Sequence, residues 1–162
     1  MPDDLPVDEE HPRRPQEAYA LSKSLGEDIC DALVRRCAAT AVSIRPSLVL
    51  APIDYARIGP LQSRREPSFN HWSYVHLEDL AELIVLAATA TSTGHEVVHA
   101  AQPDNQMGAS FADLVSRSFG DDAPPIRPID RDDAAAYMHR KRTAPLRLGP
   151  APIVKDRLTA TV

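Results

Sequence analysis

The spacing of apolar positions predicts a helix over residues 17–37. Apolar side chains recur there every three or four positions, which is the period of one helix face, and we expect that stripe to be buried. The stripe consists of Leu21, Leu25, Ile29, Ala32 and Leu33. A polar row on another face consists of Lys23, Glu27, Asp31 and Arg35. Pro15 biases Arg14 away from helical geometry, so the helix should begin just after it.

Strands and helices alternate in the pattern that follows. The predicted elements are a strand at 41–50, an extended piece at 72–76, a helix at 78–91, a strand at 96–100 and a helix at 110–119. Proline cannot donate to a strand ladder, so pairing should weaken at Pro46. The helix at 78–91 is apolar nearly all round and should be well buried. Ser110 and Gly120 are the expected N-cap and stop of the last helix.

The pattern is weak in three other segments. Residues 1–16 are predicted to form an extended, acidic segment that is broken by prolines and leads to the first helix. Residues 52–70 are predicted to form a long loop. Beyond Asp121 only a short helix around 132–139 is expected. Two clear strands are few for an α/β sheet, which typically has about five or six. The strand at 41–50 is apolar on both faces, as central parallel strands are, and needs neighbours.

Composition narrows the class of protein. The 162 residues are enough for one domain with a core, and 43% apolar with 25% charged residues is typical of globular chains. A formal net charge of −5 argues against nonspecific nucleic-acid binding, and no apolar run is long enough to span a membrane. Cys30 and Cys37 lie about 10 Å apart on one helix, too far to form a disulfide. Unpaired thiols without a signal peptide predict a cytoplasmic protein.

Tyr19 and Lys23 are the candidate catalytic residues. They lie four positions apart near the start of the first helix, so their side chains are neighbours. An ammonium group beside a phenol favours the phenolate. Such a pair can exchange a proton with a hydroxyl group while the carbon that bears it gives or receives hydride. Many ordinary helices contain the same pair, so its surroundings decide the interpretation.

Those surroundings resemble one family. Residues 5–27, L-P-V-D-E-E-H-P-R-R-P-Q-E-A-Y-A-L-S-K-S-L-G-E, resemble the segment with the Tyr-x-x-x-Lys motif of extended short-chain dehydrogenases, which include the NAD-dependent epimerases and dehydratases. V-S-I-R-P-S at 42–47 resembles the strand that ends near the nicotinamide. W-S-Y-V-H-L-E-D-L-A at 72–81 and G-H-E-V-V-H-A-A at 94–101 resemble two later stretches of the family, in the same order.

The resemblance implies an α/β fold: a partial Rossmann-like, NAD(P)-binding domain with a small substrate-side α/β portion. Residues 1–120 would form the carboxy-terminal part of that domain, and residues 121–162 a divergent, loop-rich tail. The implied activity is NAD(P)-dependent hydride transfer of the oxidoreductase type on a nucleotide sugar, ending in epimerisation, dehydration or net reduction.

The resemblance also implies roles for individual residues. Tyr19 would be the general acid/base, and Lys23 would bind the nicotinamide ribose and favour the phenolate. Pro46 and Ser47 would border the nicotinamide, and Arg45 would lie toward the substrate. His76 and Asp79 would shape and cap the helix that follows them.

The family's phosphate-binding turn has no counterpart in this sequence. None of the six glycines is spaced to form G-x-x-G-x-x-G, whose backbone N–H groups hold the cofactor's phosphates. The catalytic Ser or Thr upstream of the tyrosine is also missing. We therefore expect the amino-terminal Gly-rich half to be lacking, NAD or NADP not to bind tightly, and this chain alone to be inactive.

Several alternatives remain at this point. His95 and His99 share one strand face but have no third ligand nearby, so no metal site is expected. The basic run 140–142 is typical of surface. The chain could be an enzyme portion that needs a complementing amino-terminal half, or a non-catalytic remnant or protein-interaction module. In the second case the strand edge or the helix with Tyr19 would serve association only, including a homodimer.

Overall fold

A computed structural model describes residues 1–55, 72–90 and 93–138. Within these ranges the helices are α1 (Ala18–Cys37), α2 (Leu77–Thr89) and α3 (Phe111–Phe119). The strands are β1 (Thr40–Pro46), β2 (Leu48–Leu50), β3 (Tyr74–His76) and β4 (Gly94–Ala100). Short 3-10 turns occupy Pro52–Asp54 and Gly120–Asp122. The class is α/β with parallel strands, as the sequence predicts, but the described residues hold four strands where the pattern indicated two clear ones.

The chain changes strand partner at Ser47. β1 pairs in parallel with β4, from Thr40 opposite Gly94 to Pro46 opposite Ala100. Ser47 still donates its N–H to the carbonyl oxygen of Ala100 at 3.0 Å. β2 then pairs in parallel with β3. The single strand predicted at 41–50 is therefore two strands, interrupted directly after the proline that lacks a donor.

Helix α1 confirms the predicted helix but not its predicted burial. The leucines and isoleucine of the apolar stripe are 48–67% exposed, and no residue of α1 is buried. The face toward β1 and β4 carries part of the polar row instead, because Glu27 and Asp31 bond to Arg45 and His95. Periodicity shows that two faces differ, but it does not show which one meets the strands.

Helix α2 is likewise less buried than predicted. Leu83 is buried against a small cluster with Val75 and Ala100. In contrast, Ile84 and Val85 are 50% and 62% exposed. Among the described residues, α2 packs on the strands with one face only, so its all-round apolar pattern does not correspond to all-round burial.

A second core joins the amino-terminal segment to residues 111–138. Its buried members are Leu5, Trp72, Phe111, Leu114, Val115, Ala134 and Ala136. Leu5 donates its N–H to the Pro125 carbonyl and accepts from the N–H of Arg127 at 2.6 Å. Val7 donates to the carbonyl of Ala136 at 2.7 Å. The first residues are thus part of the packed structure rather than only an approach to α1.

The predictions near α3 are confirmed in part. Ser110 occupies the N-cap position, as predicted, but its hydroxyl makes no capping bond and donates to Asp132 at 2.9 Å instead. Gly120 does end the helix, with a φ of 55°. The short helix expected at 132–139 is absent as far as Met138; a bridge between Asp104 and Ala134 shows extended backbone there. Most of the predicted loop at 52–70 and the basic run at 140–142 lie outside the described residues.

Candidate active site

Tyr19 and Lys23 are adjacent on the first two turns of α1. The Lys23 Nζ lies 5.1 Å from the centroid of the Tyr19 ring. The Tyr19 side chain is 63% exposed, and Lys23 is exposed as well. The phenol and the ammonium group are therefore close together, as predicted, and a ligand can reach them from solvent.

Two contacts define the direction of α1 relative to the strands. Glu27 bonds to Arg45, next to the carboxyl end of β1, and Asp31, one turn later, bonds to His95, near the start of β4. The helix therefore runs antiparallel to both strands. Tyr19 precedes Glu27 by eight residues, or about 12 Å of helix. The phenol accordingly lies past the carboxyl end of β1, the edge at which parallel α/β sheets bind ligands.

Pro46 and Ser47 occupy that edge. Pro46 is the last residue of β1, opposite Ala100 of β4. Ser47 donates two hydrogen bonds to the carbonyl oxygen of Ala100, from its N–H at 3.0 Å and from its hydroxyl at 3.1 Å. These two bonds join the carboxyl ends of β1 and β4. The first turn of α1 extends toward the same edge.

Arg45 is held by α1 through two parallel hydrogen bonds. Its Nε and one terminal nitrogen each donate to the Glu27 carboxylate at 2.7 Å. The two side chains are 23% and 14% exposed. The hydrogen bond from Arg45 is the main reason that the pKa of Glu27 is lowered, and the charge of Arg13 acts in the same direction. The substrate-side role of Arg45 stays a prediction.

His95 lies between α1 and the strands, bonded on both sides. Its Nδ1 is 2.7 Å from an Asp31 carboxylate oxygen, and its Nε2 is 2.8 Å from the Ser43 hydroxyl. The imidazole is 4% exposed. The hydrogen bond with His95 is the leading cause of the lowered pKa of Asp31. Sequence reasoning considered His95 only as a metal ligand, and periodicity alone could not reveal a partner 64 positions away.

His99 does not join His95 in a shared site. Its ring stacks on Tyr137 with the centroids 5.3 Å apart, and its backbone N–H donates to Glu9 at 3.0 Å. No group of three or more His, Cys, Asp or Glu side chains suited to a metal occurs in the described part of the chain.

His76 and Asp79 begin α2 without capping it. His76 occupies the N-cap position but makes no side-chain capping bond, and its Nδ1 meets the Tyr55 hydroxyl instead. Asp79 accepts from the Gln102 side chain at 2.5 Å. The expected shaping of the helix entry therefore takes the form of tertiary contacts.

Tyr74 is a buried phenol that the pattern did not single out. Its hydroxyl lies 3.2 and 3.3 Å from the two carboxylate oxygens of Asp104. Burial, followed by the negative charge of Asp104, raises the pKa of Tyr74 well above its usual value. A phenol that stays protonated acts as a hydrogen-bond donor and not as a base.

Comparison with known proteins identifies the family. The sequence profile of the NAD dependent epimerase/dehydratase family matches residues 1–101. A uronate dehydrogenase of Pseudomonas syringae pv. tomato is 31% identical over 144 residues, which cover 82% of this chain and 47% of the relative. No solved structure matches. The chain belongs to the NAD-dependent epimerase/dehydratase family, and it spans about half the length of the curated relative that it matches.

No helix among the described residues has the length and apolar content needed to cross a membrane. The cytoplasmic location stays a prediction.

Proposed function

We propose that this chain supplies the Tyr–Lys part of the active site of an NAD(P)-dependent oxidoreductase that acts on a sugar hydroxyl. The observation that carries the proposal is the distance of 5.1 Å between the Lys23 Nζ and the centroid of the Tyr19 ring. A bound nicotinamide would accept the hydride as the substrate alcohol becomes a carbonyl. Tyr19 would take the hydroxyl proton as general base, and would return it when the reaction runs backward.

The residues around the pair fit the nicotinamide ribose end of such a cofactor. Lys23 has three ammonium donors and no acceptor, which suits ribose hydroxyl oxygens. Pro46 and Ser47 would border the ring, and Arg45 would face the substrate side. No glycine-rich phosphate turn stands among the described residues to hold the other end of the cofactor.

The chain would therefore act with a complementing amino-terminal half. The lack of a G-x-x-G-x-x-G motif in these 162 residues supports this arrangement. NAD or NADP should bind tightly only when that half contributes backbone N–H groups to the phosphates. The isolated chain should be inactive in hydride transfer.

The substrate would be a sugar derivative with an oxidisable hydroxyl. The family resemblance favours a nucleotide sugar, with epimerisation, dehydration or reduction as the outcome. The name of the relative adds a uronate as second candidate. The test measures NAD(P)H formation from both substrate classes, with this chain alone and with a supplied glycine-rich half of a family member. Turnover that needs both parts supports the proposal; no turnover in any combination contradicts it.

A non-catalytic association module is the second candidate function. Its support is the apolar stripe of α1, whose Leu25 and Ile29 are 51% and 67% exposed. A second copy of the chain would cover such a stripe and form a homodimer. Light scattering should then give a dimer mass that Leu25→Glu abolishes. The matched control is Val85→Glu, at a 62% exposed apolar position on α2. A monomeric wild-type chain contradicts this candidate.

A further inference from the structure

Polar contacts join α1 to the strands, and one set of them links three elements. A Ser43 hydroxyl, the His95 imidazole and the Asp31 carboxylate form an unbroken chain of hydrogen bonds of 2.8 and 2.7 Å. The three residues come from β1, β4 and α1 respectively. The apolar stripe of α1 points elsewhere, so it does not provide this attachment.

The protonation state of the ring follows from its partners. An ionised carboxylate only accepts hydrogen bonds, so His95 must carry a proton on Nδ1 to bond with Asp31. In the neutral ring, Nε2 can then accept a hydrogen bond from the Ser43 hydroxyl. In the charged ring, Nε2 carries a proton and donates to the Ser43 oxygen instead. Both ring nitrogens are satisfied in either case. A buried imidazole with both nitrogens bonded has one orientation, and it fixes the elements on either side of it.

We propose that Asp31, His95 and Ser43 form a helix clasp that sets the rotation and depth of α1 on β1 and β4, and thereby positions Tyr19 and Lys23. The proposal rests on the proposed function for its catalytic consequence. Asp31 follows Tyr19 by twelve residues, about 18 Å along a continuous helix. A helix moves as a rigid rod over that length, so a rotation allowed at Asp31 displaces the phenol at the other end. All three members are positioning residues, since none of them touches the reacting atoms.

The same order of residues occurs in serine hydrolases, but the surroundings here differ. In a hydrolase the serine is exposed and faces donors that stabilise an oxyanion. Here the imidazole is 4% exposed beneath α1. Labelling of Ser43 by a fluorophosphonate is therefore not expected, and labelling at that residue would overturn the clasp in favour of a nucleophile.

The first experiment measures amide hydrogen exchange of α1 in the isolated chain, with the amides of α3 as an internal reference for global unfolding. Asp31→Asn and His95→Leu should speed exchange of residues 27–34 about tenfold while α3 is unchanged, as expected for loss of a charge-assisted hydrogen bond. The matched control is Asp28→Asn, because it removes one carboxylate from the same helix. Asp28 pairs with Arg13, outside the strands. Equal effects of Asp31→Asn and Asp28→Asn overturn the proposal.

Two amide substitutions separate the bonds of the clasp. The amide nitrogen of asparagine is placed like Nδ1 of histidine, and that of glutamine like Nε2. His95→Asn should therefore keep the bond to Asp31 and retain more protection than His95→Gln, with His95→Leu the least protected. A purely space-filling role would instead favour leucine. Nitrogen NMR of the wild-type ring should show a proton on Nδ1, and a neutral ring protonated only on Nε2 contradicts the clasp.

The catalytic consequence is read separately in the complemented enzyme. Asp31→Asn should lower kcat about tenfold and change the KM for cofactor less, because the groups that bind the cofactor's phosphates are unchanged and only the Lys23 contact with the ribose is displaced. If Asp31→Asn and His95→Leu speed amide exchange of α1 but Tyr19→Phe has no effect on turnover, the clasp is supported and the proposed function is wrong. If Tyr19→Phe abolishes turnover but the clasp variants do not change amide exchange of α1, the clasp is wrong and the proposed function is supported.

Discussion

Glu27 and Arg45 are joined by two parallel hydrogen bonds of 2.7 Å, one helix turn before the bond between Asp31 and His95. Together the two pairs attach α1 to the strands at successive turns. This attachment gives the helix its antiparallel direction, so its first turns, with Tyr19 and Lys23, extend toward the carboxyl end of β1.

Removal of the Tyr19 hydroxyl should abolish hydride transfer. Tyr19→Phe removes the group that exchanges the proton, so kcat in the complemented enzyme should fall by about 10²–10⁴-fold. Cofactor affinity should change little, because the binding donors of Lys23 remain. Steady-state kinetics together with a cofactor titration measure both. Tyr137→Phe is the control for loss of a phenol hydroxyl, and wild-type turnover by Tyr19→Phe would exclude the acid/base role.

Cofactor binding should be weak in the isolated chain. Titration with NAD and NADP, followed by calorimetry or fluorescence, should give no micromolar affinity. The physical reason is that no run of glycines in this sequence offers backbone N–H groups to the phosphates. A clear micromolar isotherm would show that the phosphates are held in another way.

Breaking the Glu27–Arg45 pair should destabilise the fold measurably. Both side chains are mostly buried, so Glu27→Gln leaves Arg45 with an uncompensated charge and should cost about 1–3 kcal/mol in the free energy of unfolding. Urea denaturation is the measurement. Asp113→Asn is the control, since its 3.9 Å pair with Arg117 is exposed and should contribute less than about 0.5 kcal/mol. Equal costs would mean that the buried pair contributes no more than a surface pair.

Stability should fall in acid through Glu27 and Asp31. The pKa of each is lowered by its hydrogen-bonded partner, Arg45 and His95 respectively. Such groups stabilise the fold above their unfolded pKa of about 4, and the contribution is lost as the pH falls through the folded values. Denaturation midpoints from pH 7 to about pH 3 should therefore decline less steeply in the double variant Glu27→Gln, Asp31→Asn. Identical slopes would assign acid lability to other carboxyl groups.

The amino-terminal segment should be an integral part of the second core. Leu5 is fully buried, so Leu5→Ala should cost about 2–5 kcal/mol, as large-to-small core substitutions do. Leu77→Ala is the matched control at a 46% exposed site and should cost clearly less. Thermal or urea unfolding distinguishes them. A neutral Leu5→Ala variant would show that residues 1–16 act only as a tether.

Local elements followed closely from the sequence, because their determinants lie within a few residues. The helix predicted at 17–37 is observed at Ala18–Cys37, and the strand predicted at 96–100 lies within Gly94–Ala100. The proximity of Tyr19 and Lys23 is equally local, since four residues on a helix bring two side chains together. The division into 1–120 and 121–162 stays a prediction, although bonds of Leu5 and Val7 cross it to Pro125 and Ala136.

The sequence by itself determined the helices, the strand segments, the family motifs and the candidate pair. Only the tertiary structure decided that the Glu27 and Asp31 face of α1 meets the strands while the apolar stripe stays exposed. It also decided that His95 bonds to Asp31 and Ser43, which are 64 and 52 positions away. The physical reason is that backbone periodicity sets which side chains share a face, whereas the partner of that face depends on long-range packing.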